Sequence, residues 1–284
     1  MSSYLVTGSS GMIGSQVLEK LKYMGWNHHT LDRKEIEECN NQKELVAIIY
    51  DKIKRSNGVF HIGAIADTSD FSADVMYYNY HITKLIVDVC IRLNKRLVFS
   101  STQMVTGRSD VGYPENLYGW SKVACEDYIR LKPTKWGEHD RWRGIILRYT
   151  NVYGPGEQSK GKTASLAYQG WLSKEIELWD AKRDFIYVKD IVDANIHAMC
   201  NLKDEEILTK DGVFWVGSGE SRSAIEFVRG MGNDIIINEK NPNEAPPWFQ
   251  WETSCDSNEF MSEWKPKYNL EKGTEDYLTY LGNI

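Results

Sequence analysis

Thr7-Gly8-Ser9-Ser10-Gly11-Met12-Ile13-Gly14 follows the apolar run Tyr4-Leu5-Val6 and precedes a segment in which Val17, Leu18, Leu21 and Met24 share one helical face. A strand that turns through three glycines into an amphipathic helix is the context in which such glycines hold a dinucleotide. Gly8 permits the tight turn, Gly11 lets backbone approach a pyrophosphate, and Gly14 lets helix and strand pack closely. Ser10, Met12 and Ile13 complete the expected cofactor contacts. The next strand ends at Asp32, 18 residues after Gly14, placed to accept hydrogen bonds from an adenosine ribose and so to favour NAD. Arg33 argues the other way, since a guanidinium there could hold the 2′-phosphate of NADP. The cofactor is therefore read as NADP or NAD.

Working outward, strands are expected at 4–7, 29–31, 59–62, 97–101 and 144–148, alternating with helical stripes such as Ile82, Leu85, Ile86, Val89 and Leu93. This alternation predicts an α/β fold with a doubly wound parallel sheet and a smaller C-terminal lobe. The sheet domain is expected over 1–150, with 181–219 contributing, and the second lobe over 151–180 and 220–284. In Phe60-His61-Ile62-Gly63-Ala64-Ile65-Ala66 the small residues Ala64 and Ala66 would let a cofactor lie close to the strand end.

Composition narrows the function. The 284 residues are 42% hydrophobic and 26% charged, enough apolar material for a packed core. A net charge of −6 argues against nucleic acid as the main partner. Apolar runs reach only about six residues, as in Leu45 to Tyr50, where a membrane span needs roughly 20. The start of the chain lacks the pattern of a signal peptide, so a cytoplasmic location is expected. Five scattered cysteines, none in a CxxC pair, suggest neither disulfides nor a metal site.

Chemistry is expected at Thr102, which closes the 97–101 strand, and at Tyr118 and Lys122, four residues apart on one helical face. An ammonium beside a phenol favours the phenolate and would lower the Tyr118 pKa, giving the acid/base that hydride transfer at an alcohol carbon requires. The spacing alone is weak, because Tyr50/Lys54, Tyr80/Lys84, Tyr128/Lys132 and Tyr268/Lys272 share it. Only the 118/122 pair follows a hydroxyl-bearing strand end. Arg183 suits phosphate oxygens but could equally pair with Asp184 or Asp180. Asn151 could meet a ligand or cap a turn.

The succession TGSSGMIG, FHIGAIADTS, YNYHITK, SSTQMVTG, YGWSK, LRYTNVYGPG, KRDFIYVKDIVDA and FWVGSGES resembles the extended short-chain dehydrogenase/reductases that modify nucleotide sugars, over essentially the whole chain. The resemblance implies a Rossmann lobe that binds NAD or NADP with Asn79 among its contacts, a second lobe for a nucleotide sugar, and a Thr102, Tyr118, Lys122 triad. Within that family the chain is most similar to the ADP-L-glycero-D-manno-heptose 6-epimerases, through NVYGPGEQSKGKTASLAYQ and WFQWETSCDSNEF. That likeness implies Lys160 as a second acid/base and Gln250 among the substrate contacts. A 4,6-dehydratase would carry Asp-Glu after Thr102, where this chain has Gln103-Met104, and a fucose-synthase type would carry a Cys/His pair that is missing. Epimerisation at one carbon is the expected reaction, at C6 of an ADP-heptose-like sugar on that likeness, with another nucleotide-sugar 4-epimerase or reduction of a keto sugar as alternatives and a non-catalytic dinucleotide-binding regulator less favoured. The expected partners are a nucleotide sugar and further copies of the chain, with no nucleic acid and no membrane.

Overall fold

The computed structural model describes residues 2–107, 112–131, 144–157, 163–245 and 249–282. Contacts divide the chain into two compact units, 1–148 with 192–214, and 149–191 with 215–284.

The first unit is built on a six-stranded sheet. Its labelled strands are β1 (Ser3–Thr7), β2 (Asn27–Leu31), β3 (Gly58–His61), β4 (Arg96–Thr102) and β5 (Gly144–Tyr149), and Val213–Val216 follows. The order is β2-β1-β3-β4-β5 and then 213–216, with β1 paired in parallel to β2 and β3, and β3 to β4. Near-continuous apolar runs such as Tyr4-Leu5-Val6, all buried, suit strands covered on both faces. The cover comes from α1 (Met12–Tyr23), α2 (Arg33–Glu37), α3 (Gln42–Lys54), α4 (Ala73–Val75), α5 (Ile82–Arg92) and α6 (Leu117–Leu131). Between α4 and α5 the chain forms a π-helical turn, Met76–His81. Leu45, Ile49 and Ile53 of α3 and Ile82, Leu85, Ile86 and Val89 of α5 meet Leu5, Val59 and Leu97 of the sheet in one core. Register sets Thr7 beside His61, and His61 beside Phe99, so the carboxyl ends of β1, β3 and β4 lie together. With β1 between β2 and β3, the connections reverse direction at β1/β3, where ligands of open α/β sheets bind.

The second unit holds a three-stranded sheet in which Lys182–Tyr187 lies between Ser221–Ser223, antiparallel, and Asn151–Tyr153, parallel. A parallel pair joins Glu175–Leu178 to Ile236–Glu239. Phe227, from the helix Ala224–Met231, packs on Tyr153 and Phe185 with ring centroids 4.8 and 4.3 Å apart. Residues 181–191 and 215–219 belong to this unit and not, as expected, to the first. The reason is that strand 182–187 bonds to 151–153 and 221–223 instead of extending the large sheet. Among the described residues no helix is long and apolar enough to cross a membrane.

Candidate active site

The three glycines of the turn are not equivalent. Gly8 has φ +66, and a Cβ there would lie 2.5 Å from Gly63 Cα. A Cβ on Gly14 would lie 2.1 Å from Gly8 O, so both glycines are needed for packing. Gly11 is different. A Cβ there would meet only Gly8 O at 3.4 Å, which leaves backbone beside open space, flanked by exposed Ser10 and half-buried Met12 and Ile13. The 12-residue α1 starts here without a side-chain cap and without an acidic residue in its first turn. Its bare N–H groups and positive dipole end suit a pyrophosphate, so this cradle fits a dinucleotide.

Asp32 is tied to the same turn. Its Oδ1 accepts from Ser9 N–H at 2.6 Å, and the Ser9 hydroxyl donates to Oδ2. Behind them, Thr7 Oγ1 accepts from Ile62 N–H at 3.1 Å and Gly63 N–H at 3.0 Å, which leaves its own proton for His61 Nδ1 at 2.7 Å. On the other side Thr83 Oγ1 donates to the Asn79 carbonyl, so His61 Nε2–H donates to Thr83 at 2.7 Å. These bonds assign His61 one proton and no charge. Burial, with the Lys122 charge assisting, pushes its pKa down to about 3. Sequence reasoning passed over His61, since a histidine inside an apolar strand announces no role until its two hydroxyl partners are in place. Ala64 is exposed and Ala66 half-buried on the loop that leaves β3.

Asn79 departs from expectation. It is 1% exposed, and its Oδ1 accepts from Ile65 N–H at 2.8 Å while Nδ2 donates to Ile65 O and Ser121 Oγ, both at 2.9 Å. Both amide hydrogens are thus used internally, and Asn79 acts as a brace where a cofactor contact was expected. Ser121 in turn donates to Tyr118 O at 2.7 Å, so the π-helical turn links the loop after β3 to α6.

Thr102, Tyr118 and Lys122 come together. Thr102 ends β4, its Oγ1 accepts from Met104 N–H at 3.2 Å, and its hydroxyl lies near enough to Tyr118 to favour the phenolate. Lys122 is 2% exposed and donates to Ser100 O at 2.6 Å, with its ammonium 4.5 Å over the Phe99 ring and 6.0 Å from the Tyr118 ring centre. The expected lowering of the phenol pKa is not what this arrangement produces. Burial pushes Tyr118 up to about 12, opposed by the nearby Thr102 hydroxyl, and burial pulls Lys122 down to about 8. The ammonium is directed to the Ser100 carbonyl, and desolvation is the largest influence on the phenol.

One turn along α6, Glu126 anchors this helix. It accepts from the Ser101 hydroxyl and takes two-pronged bonds from Arg148, at 2.6 Å from Nη2 and 3.1 Å from Nε. Gln103, directly after Thr102, is buried with no hydrogen-bond partner for Oε1 among the described residues. Lys160 lies outside the described residues. Among those described, no cluster of His, Cys, Asp or Glu could hold a metal ion.

In the second unit, Arg183 is 5% exposed. It donates to the carbonyls of Lys182, at 2.9 Å, and Gln250, and lies 5.3 Å from the Phe249 ring centre. Neither expected acid pairs with it. Asp184 is turned to Thr150, Ser218, Gly219 and Cys255, and Asp180 takes Ser223 and Ile225. Alternation along the strand separates the neighbouring side chains onto opposite faces. Burial without a described carboxylate pushes the guanidinium down to about 10, and a buried charge of this kind is stabilised by an anionic ligand. Asn151 caps no turn. Its Nδ2 donates to Asp184 O and Thr253 Oγ1, both at 3.2 Å. The half-buried Gln250 contributes its carbonyl to Arg183.

The model of the "NAD dependent epimerase/dehydratase family" matches residues 4–209. An ADP-L-glycero-D-manno-heptose-6-epimerase of Fusobacterium nucleatum is 27% identical and aligns over 96% of each chain. Among solved structures, the Helicobacter pylori ADP-L-glycero-D-manno-heptose-6-epimerase superposes with a TM-score of 0.78 at 22% identity, covering 100% of this chain and 97% of that one. A Thermus thermophilus UDP-glucose 4-epimerase in complex with NAD reaches 0.80 at 21%, covering 99% of both. At those identities the two structures establish the fold.

Proposed function

This chain belongs to the NAD dependent epimerase/dehydratase family, and from that premise we propose that it is a nucleotide-sugar epimerase, inverting one carbon by oxidation and re-reduction. The observation that carries this reading is the Thr102–Tyr118 hydroxyl pair with Gln103 beside it. Such a pair can take and return the proton of a secondary alcohol. An amide at 103 cannot supply the acid or base that eliminating water demands, which favours epimerisation over dehydration.

NAD, when bound, would supply the hydride acceptor and donor, and Gly11, the start of α1 and Asp32 would hold it. Tyr118 accepts the hydroxyl proton as the carbonyl forms and gives a proton back when the alcohol is restored. The Thr102 hydroxyl favours the phenolate, and Lys122, bonded to Ser100 O, ties the helix that carries Tyr118 to the end of β4. Lys160 is the candidate for the second acid/base, because inversion leaves the oxygen pointing where one fixed phenol reaches poorly. Over the full cycle nothing is oxidised or reduced.

The substrate class we favour is an ADP-heptose inverted at C6, the activity named for the Fusobacterium nucleatum relative. Arg183 is assigned the diphosphate. Assay of the purified protein against ADP-, GDP- and UDP-sugars is expected to give epimer formation with the ADP-heptose; inversion of UDP-glucose alone would move the assignment to a 4-epimerase. Arg183→Met is expected to raise KM about 10- to 100-fold with kcat nearly unchanged, since a diphosphate contact stabilises ground and transition states alike. Removing a buried charge without a carboxylate partner should not lower the thermal midpoint. An unchanged KM would reduce Arg183 to a support for the Gln250 segment.

A further inference from the structure

Arg33 stands next to Asp32, beside the glycine turn that Asp32 grips, where a guanidinium would receive a 2′-phosphate on the adenosine ribose. In this structure the guanidinium is engaged elsewhere. Its Nε donates to Glu37 Oε1 at 2.7 Å and its Nη2 to Asp74 Oδ2 at 3.4 Å. The guanidinium carbon lies 4.3 Å over the Tyr78 ring, and the Tyr78 hydroxyl donates to the same Glu37 oxygen at 2.9 Å. These partners come from separate elements, Glu37 one turn along α2, Asp74 on α4 and Tyr78 on the π-helical turn. The Glu37 hydrogen bond holds the Arg33 pKa up, and the same bond holds the Glu37 carboxyl down, so both stay charged.

We propose that Glu37, Asp74 and Tyr78 form a latch that keeps Arg33 from the ribose and makes this chain selective for NAD over NADP. Asp32 performs the attractive half of the selection. Its carboxylate has about four acceptor positions and Ser9 takes two, leaving acceptors for ribose hydroxyls. The latch performs the repulsive half. An exposed ion pair is weak by itself, and Arg33 is 53% exposed, so the bonds alone would not exclude a phosphate. Charge adds to them. Asp32 through Glu38 carries four acids against Arg33 and Lys34, a balance of −2, and Asp74 makes it −3. A 2′-phosphate must break the latch and bring further negative charge into that field.

The inference rests on the dinucleotide reading of the glycine turn, and calorimetric titration of the full chain with NAD⁺ and NADP⁺ separates the two. The wild type is expected to bind NAD⁺ at least about 100-fold more tightly. Glu37→Gln with Asp74→Asn is expected to tighten NADP⁺ about tenfold and to leave NAD⁺ within about threefold. Adding Arg33→Gln should erase the gain. Glu38→Gln, which removes one charge from the same segment without touching Arg33, should move NADP⁺ by less than about threefold. If the wild type binds neither nucleotide, the dinucleotide reading falls and the latch with it. If NAD⁺ binds but NADP⁺ binds equally well, or the double variant gains nothing, or its gain survives Arg33→Gln, the latch is overturned while the dinucleotide reading stands.

Discussion

Replacing Tyr118 by Phe is expected to lower turnover about 10²- to 10⁴-fold, the range ascribed to a positioned general acid/base, with KM and NAD binding little changed. The substitution removes one oxygen and keeps the ring. Thr102 retains its bond from the Met104 N–H, so the end of β4 keeps its shape. The pH profile carries a second signature. A phenol pushed up to about 12 by burial is almost wholly protonated at neutrality, so the rate of oxidation should rise toward alkaline pH and lose that rise in the Phe variant. Steady-state assay from pH 6 to about 10 would show it, and a Phe variant with normal turnover would remove Tyr118 from the reaction.

Lys122→Met should abolish activity about as completely while making the fold more stable, two effects of opposite sign from one residue. The ammonium is 2% exposed, and burial lowers its pKa to about 8 from the ordinary 10.5. Near neutrality the native state therefore carries a buried charge that costs up to about 3 kcal/mol, partly offset by the bond to Ser100 and the Phe99 ring. Methionine fills similar space without that cost. Because the native pKa lies below the unfolded one, the unfolded state binds more protons between about pH 8 and 10.5, and wild-type stability rises across that window. The advantage of Met should be greatest at pH 7 and shrink above 8. Denaturant unfolding at pH 7 and pH 10 would reveal it, and a variant less stable than wild type at both would show that Lys122 is a net stabiliser.

How much of this could be read from the residues varies with how local the signal is. The glycine turn and the Tyr118/Lys122 pair depend on neighbours within a few positions, and Asp32, which follows β2, meets the glycine turn through Ser9. Of the five principal strands, β1, β3, β4 and β5 were legible because both faces are covered and their apolar runs are dense, whereas β2, Asn27-His28-His29-Thr30-Leu31, buries only Leu31. α3 was less so, since its stripe of Leu45, Ile49 and Ile53 is interrupted by Lys and Asp. The short strands of the second unit left almost no periodic trace. In 182–187, Arg183 and Asp184 are both buried, and a strand with two charged buried neighbours reads as a surface loop until Gln250 and Ser218 supply their partners. The direction of the Tyr118 pKa was misread for a related reason. Helical spacing brings Lys122 to the same face, but only the packed site shows its ammonium committed to Ser100 O.

In the proposed cycle, hydride leaves and returns at a single carbon. Converting the ADP-heptose epimers in D₂O and reading the inverted centre by proton NMR and mass spectrometry tests this directly. Transient oxidation through NAD predicts full interconversion with no deuterium on that carbon, because the hydrogen never exchanges with solvent. Deuterium at the inverted carbon would identify proton abstraction and re-addition, and would contradict the proposed roles of Tyr118 and the glycine turn.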